Sequence, residues 1–115
     1  MARSDAARGK AFELWTAKLF GGRRRGNNGT GGCDIVDTPL AIECKAPGQL
    51  MIRTDWYEQA VRQGEQEGKP WVLAMRPKGW RNPVGIVDLK WLAELVEKAE
   101  NPLVSVEIRP CINCV

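Results

Sequence analysis

The segment Leu40–Ala46 (Leu-Ala-Ile-Glu-Cys-Lys-Ala) constrains the fold of this chain more than any other. Its two charges, Glu43 and Lys45, stand two residues apart in an otherwise apolar run. A β-strand places both on one face, with Ile42, Cys44 and Ala46 on the other. Charged groups are costly to bury, so a charged pair on an apolar strand marks a place where something charged binds. Upstream, Asp34-Ile35-Val36 reads as a short strand and Asp37-Thr38-Pro39 as a turn. Strands joined this closely form an antiparallel hairpin, which would bring Asp34 near Glu43. Asp34 and Glu43 then offer the hard oxygen ligands that Mg²⁺ prefers. Lys45 can hold a water or a phosphate oxygen. These parts suit metal-assisted hydrolysis of a phosphodiester.

The other elements follow from periodicity and punctuation. Residues 4–20 are predicted helical, with Ser4 as cap, a stripe of Phe12, Trp15 and Leu19, and Gly21-Gly22 as the stop. Glu13 lies near the apolar face. Residues 23–33 are basic and glycine-rich and read as a loop, either plain and flexible or one whose amides and arginines meet phosphates. No helix follows it, which argues against a P-loop. A second helix is predicted over 54–67, capped by Thr54 or Asp55, with Trp56, Ala60 and Gln63 on one face. Strands are expected at Trp71–Met75, Val84–Val87 and Val104–Ile108. A third helix runs from the Asp88 cap through Glu100, with a stripe of Leu89, Leu92, Leu95 and Val96. The order of elements predicts one α/β domain over residues 1–115, with a central mixed sheet flanked by helices.

Composition narrows the chemistry. The chain has no histidine, which excludes Ser-His-Asp and Cys-His nucleophiles, His-based zinc sites and His general bases. Hydrolysis would rest on carboxylates, lysine and a metal. Residues 1–30 carry seven Lys/Arg against two Asp/Glu, and the rest carry ten against twelve, so the net +3 is N-terminal in origin. It peaks at Arg23-Arg24-Arg25. Such clusters commonly meet nucleic-acid phosphates, the plain alternative being a solvated loop. No run approaches the ~20 apolar residues of a membrane span, and the charged start lacks the apolar core of a signal peptide. A cytoplasmic location, without membrane partners, is the expectation. The four cysteines are then expected as free thiols. Cys111-x-x-Cys114 has metal-ligand spacing. It reads as a tail or minor structural feature, or as half of a zinc site shared between two chains.

With these residues in hand, the chain resembles the PD-(D/E)xK nuclease superfamily, and within it the archaeal-type Holliday junction resolvases and their phage relatives. Arg8-Gly9-Lys10-Ala11-Phe12-Glu13 resembles their N-terminal helix motif. Cys33-Asp34-Ile35-Val36 stands where they have Pro-Asp-Ile-Val. Ile42-Glu43-Cys44-Lys45 is similar to their Ile-Glu-Cys-Lys. Gln59 resembles a Gln found on the following helix, and Trp71–Ala74 the apolar strand after it. The likeness covers roughly residues 8–76.

The resemblance implies a restriction-endonuclease-like core and an Mg²⁺-dependent endonuclease (Mn²⁺ substituting) that resolves four-way DNA junctions in recombination and repair. It implies Asp34 and Glu43 as metal ligands, with Glu13 completing the shell and the Ile42 or Cys44 carbonyl adding an oxygen. Lys45 would position the attacking water, and Gln59 would orient Lys45 or that water. Glu13 and Gln59 each have a plain alternative as helix-surface residues. Arg8, Lys10, Arg23, Arg24 and Arg25 are candidates for phosphate contacts. Asn28 and Thr30 are candidates too, standing in for a Ser that the family carries near the metal. Trp80, beside Arg81 in a Gly/Pro-rich loop, is a candidate contact to DNA or a partner chain. Two symmetric cuts imply a homodimer. Kinship with phage enzymes would place the protein in the host-cell cytoplasm. Other substrates (nicking, flap or restriction type) and a catalytically idle DNA-binding module are the competing readings.

Overall fold

A computed structural model describes residues 4–26 and 33–100 of the 115-residue chain. The strand expected at Val104–Ile108, the pair Cys111 and Cys114, and the candidates Asn28 and Thr30 lie outside the described residues. In chain order the elements are α1 (Asp5–Leu19), β1 (Arg23–Arg24), β2 (Ile35–Val36), β3 (Ala41–Lys45), α2 (Thr54–Glu67), β4 (Trp71–Met75), β5 (Val84–Val87) and α3 (Leu89–Ala99).

The five strands form one mixed sheet in the order β1-β2-β3-β4-β5. Only β3 and β4 run parallel. Their crossover is α2, the connection a parallel pair requires. β3 is central, and the sheet is packed on both of its faces. Ile42 and Cys44 pack with Phe12 and Ala17 of α1, together with Ile35 and Val72. On the opposite face Ala60 of α2 packs with Leu73 and Met75, flanked by half-buried Trp56, Trp71 and Ile86. The architecture is an α/β sheet with helices, consistent with a restriction-endonuclease-like core.

Local chemistry accounts for the helix ends. Ser4 caps α1, its Oγ accepting from the Ala7 amide at 3.2 Å. Asp88 caps α3, its carboxylate accepting from the Lys90 and Trp91 amides at 2.9 and 3.3 Å. The cap of α2 is Arg53, with no side-chain capping bond, in place of Thr54 or Asp55. Asp55 instead pairs with Arg53 at 3.0 Å, and Gly68, in the left-handed conformation, ends the helix.

Three expectations need correction. Arg23–Arg24, expected within a loop, is an edge strand paired antiparallel with β2, Arg23 opposite Val36 and Arg24 opposite Ile35. The buried face of α1 is Phe12, Thr16 and Ala17, while Trp15 and Leu19 are exposed. Thr16 and Ala17 lie to one side of Phe12 around the helix and Trp15 and Leu19 to the other, so the sheet meets a face rotated from the expected stripe. The stripe of α3 has the helical period, yet no α3 residue is buried among the described residues, and Leu89, Leu92, Leu95 and Val96 are all exposed.

Candidate active site

The pairing of Ile35 with Ile42 sets the site. In an antiparallel ladder that register puts Asp34 opposite Glu43, on the same face of the sheet. The Asp34 amide donates to the Ile42 carbonyl at 3.1 Å, and its carboxylate accepts from the Cys44 amide at 2.7 Å. Asp34 is thus held by the neighbouring strand at both backbone and side chain. Glu43 is 3 % exposed. Its Oε1 lies 3.4 Å from Lys45 Nζ, and its Oε2 is buried without a hydrogen-bond partner among the described residues. The Lys45 ammonium sits over the Trp56 ring, 5.7 Å from its centroid, and the Arg53 guanidinium lies at the same distance from that ring. Trp56 therefore supports the lysine by cation–π attraction.

The electrostatics fit a pair of carboxyls lacking enough positive charge. Burial, and then the neighbouring Asp34 carboxyl, push the Glu43 pKa up to about 7, against the partial relief of Lys45. Burial also raises Asp34, opposed chiefly by the Cys44 amide bond. Like charges at close range in a low-dielectric setting favour a shared proton or a bound cation. The orphaned Oε2 of Glu43 is the observation that makes a divalent cation fit. No group of three or more His, Cys, Asp or Glu side chains suited to a metal gathers among the described residues. Mg²⁺ commonly takes one or two carboxylates and keeps several waters, so Asp34 and Glu43 suffice in kind.

Glu13 stands apart from that pair. Its carboxylate accepts from Arg24 Nε at 3.0 Å, although its charge still acts on Asp34. Gln59 is half-buried on α2, and Gln63, one turn later, is buried. The arginine triplet is engaged within the fold. Arg23 pairs with Asp37 at 2.6 Å, Arg24 with Glu13, and Arg25 with Glu67 at 3.6 Å and with the Cys33 carbonyl at 2.7 Å. Arg8 bridges the exposed Asp5 and the Ala46 carbonyl, and Lys10 is exposed on α1. Trp80 is exposed on the β4–β5 connection. Sequence reasoning missed the Trp56 support of Lys45. Its signal was Trp56 on the buried face of α2, one turn before Ala60.

Cys33 and Cys44 are buried free thiols beside the carboxyls. Burial first, and then the charge of Glu67, push Cys33 up to about 12. Burial likewise lifts Cys44 to about 12, opposed by Thr16. Since the thiolate is the reactive form, alkylation at neutral pH should leave both unmodified in the folded protein and label both after denaturation. Peptide mass mapping reads the outcome, and rapid labelling in the folded state would show that the packing around these two thiols opens.

No protein-family model, curated protein or solved structure matches this chain.

Proposed function

We propose that this protein is a metal-dependent, structure-specific endonuclease that hydrolyses phosphodiester bonds at four-way DNA junctions. The observation that carries the reading is the Asp34–Glu43 pair across β2 and β3, with the unpartnered Glu43 Oε2 and Lys45 on one strand face. Asp34 and Glu43 would hold Mg²⁺ or Mn²⁺. A divalent cation there supplies charge neutralisation at the phosphoryl oxygens and an acidified water. Lys45 stabilises the charge that develops on those oxygens and orients the attacking water. Trp56 limits the excursions of Lys45. Gln59, on the helix that carries Trp56, would tune the same region.

Glu13 is assigned an indirect part: paired with Arg24, it positions β1 beside β2 and adds negative field at Asp34. Arg8 and Lys10 are the proposed phosphate contacts on α1. Arg23, Arg24 and Arg25 contribute through whatever charge their carboxylate partners leave. Contacts of this kind position DNA without reading its sequence. Two symmetric cuts call for a C₂ homodimer, and the exposed apolar stripe of α3 is a surface suited to pairing. The competing idle-module reading draws on the engagement of Glu13 and the arginines in internal ion pairs.

A cleavage assay with Mg²⁺ tests the proposal, comparing a four-way junction with duplex, flap and single-stranded DNA of matched sequence. Paired symmetric cuts in the junction alone, absent from Asp34→Asn, are the expected result. Equal cutting of duplex or flap would keep a nuclease and discard the resolvase. Junction binding without cutting, with Mg²⁺ or Mn²⁺, would overturn the enzymatic reading in favour of the idle module.

A further inference from the structure

Just past Lys45 the chain builds a second, differently charged concavity. The Lys45 carbonyl accepts from the Arg76 amide at 3.0 Å, and the Pro47 carbonyl accepts from the Lys78 amide at 2.8 Å. These bonds tie the β4–β5 connection to the end of β3. The connection turns through Pro77–Trp80, closed by the Trp80 amide donating to the Pro77 carbonyl at 3.0 Å. Gly79 takes φ +84° at the third position of that turn, as a type II turn requires. Between this turn and α1 lies a cavity of about 240 Å³. Arg8, Arg76 and Lys78 line it over a floor of Ala11 and Phe12, and among the described residues no carboxylate is in its wall.

Two of the three cations are held through their side chains. Arg8 donates an N–H of one terminal guanidinium nitrogen to the Ala46 carbonyl at 2.8 Å, while its Nε is buried without a hydrogen-bond partner among the described residues. Arg76 Nε donates to the Trp80 carbonyl at 3.1 Å, which fixes its stem and leaves its terminal nitrogens free of that bond. Asp5 pairs with Arg8 from outside the wall, and its side chain is 93 % exposed. Three like charges converging on a concave wall repel one another, and that repulsion is relieved by a bound anion. Guanidinium forks and an ammonium match the tetrahedral oxygens of a phosphoryl group. The ends of parallel strands are also where open α/β sheets place their ligands.

We infer that Arg8, Arg76 and Lys78 form a phosphate-binding pocket one residue beyond Lys45, which takes a phosphoryl group of the DNA strand adjacent to the one at Asp34 and Glu43. The identity of the phosphate donor rests on the nuclease reading; the anion chemistry of the pocket does not. Its occupant anchors the strand and sets which phosphodiester reaches Lys45.

The test needs no catalysis. In EDTA, the amide resonances of Lys78 and Gly79 are followed by NMR on adding inorganic phosphate, a short oligodeoxynucleotide with a 5′-hydroxyl, or the same strand 5′-phosphorylated. In parallel, the salt dependence of oligonucleotide binding is compared between the wild type and Arg76→Gln/Lys78→Gln. Both residues are exposed, so the variant should fold, as circular dichroism will verify. Lys90→Gln/Lys98→Gln, on α3, controls for net charge. Shifts at Gly79 with either strand, and a log–log salt slope lower by about 1.5–2 in the pocket variant only, support an internal phosphodiester. Shifts with inorganic phosphate and the 5′-phosphorylated strand alone support the pocket with a terminal phosphate as occupant. Unmoved amides with all three probes, or an equal slope change in the α3 control, would overturn the pocket. Cleavage by wild-type protein is read separately, so a failed pocket and a failed nuclease are distinguishable.

Discussion

Glu43→Gln is expected to abolish cleavage and, in the same molecule, to raise the melting temperature of the metal-free protein at pH 8. The loss of activity should exceed about a thousandfold, because the change removes a charged ligand and the partner that aligns Lys45. The gain in stability follows from linkage. The folded-state pKa of Glu43 is about 7, above its ordinary value of 4.5. A carboxyl raised in this way binds its proton more tightly in the folded state. Its contribution is fully present below about pH 4.5 and is lost as the pH rises through about 7. Wild-type protein without metal should lose on the order of 3 kcal/mol across that window. The glutamine side chain keeps the shape and removes the charge, so the variant should show a flat profile there. Lys45 then lacks its ion partner, which trims the gain, but its ammonium keeps the Trp56 ring and partial solvent contact.

Adding Mg²⁺ at pH 8 should restore the wild type and leave Glu43→Gln almost unmoved, since a ligand that binds only the folded state stabilises it by mass action. Thermal unfolding followed by circular dichroism, with EDTA and with Mg²⁺, reads all of this. A wild-type profile that is flat between pH 5 and pH 8 and indifferent to Mg²⁺ would remove the basis for a metal at Asp34 and Glu43, whatever the cleavage assay gave.

Gly22→Ala should destabilise the fold by about 3 kcal/mol or more. Gly22 joins α1 to β1 and runs against the β2–β3 turn. A methyl group there would meet the Val36 carbonyl oxygen and Thr38 Cγ2 closer than real Cβ atoms approach, with Ile35 Cγ2 at 3.2 Å. Two of these neighbours are fixed. The Val36 carbonyl belongs to the β2 backbone, and Thr38 is buried, its hydroxyl donating to the Leu40 carbonyl at 2.7 Å. Relief requires β1 to lift away from β2, which also breaks the alignment of Arg24 with Glu13. Gly9→Ala is the matched control, because nothing among the described residues lies within 4 Å of its added methyl. Gly9 is inside α1, where alanine is the better helix former by up to ~1 kcal/mol. Urea unfolding should therefore move the two variants in opposite directions, and a Gly22→Ala protein as stable as wild type would show that the β1–β2 edge yields freely.

The features legible in the sequence were local. The period of two in Leu40–Ala46 placed Glu43 and Lys45 on one strand face, since successive Cβ atoms alternate whatever the strand pairs with. The short Asp37-Thr38-Pro39 turn made the hairpin antiparallel and brought Asp34 to Glu43. Ser4 and Asp88 declared their helices because a cap acts on amides within the next turn. The bounds of β4 and β5 followed from breakers on either side. Partners distant in the chain were a different matter. Arg23 and Arg24 have the composition of a loop and become a strand only because β2 offers an open edge, and each then meets a carboxylate, on Asp37 or Glu13. The stripe of α3 has the right period for burial, but period alone does not supply a surface to bury it against. Burial of Glu43 by α2, the Trp56 ring over Lys45 and the convergence of Arg8 with Arg76 and Lys78 all join residues from separate elements. Sequence determined which groups could do chemistry; tertiary packing decided which of them met, and in what dielectric, because desolvation and charge pairing depend on neighbours that the chain brings together only when folded.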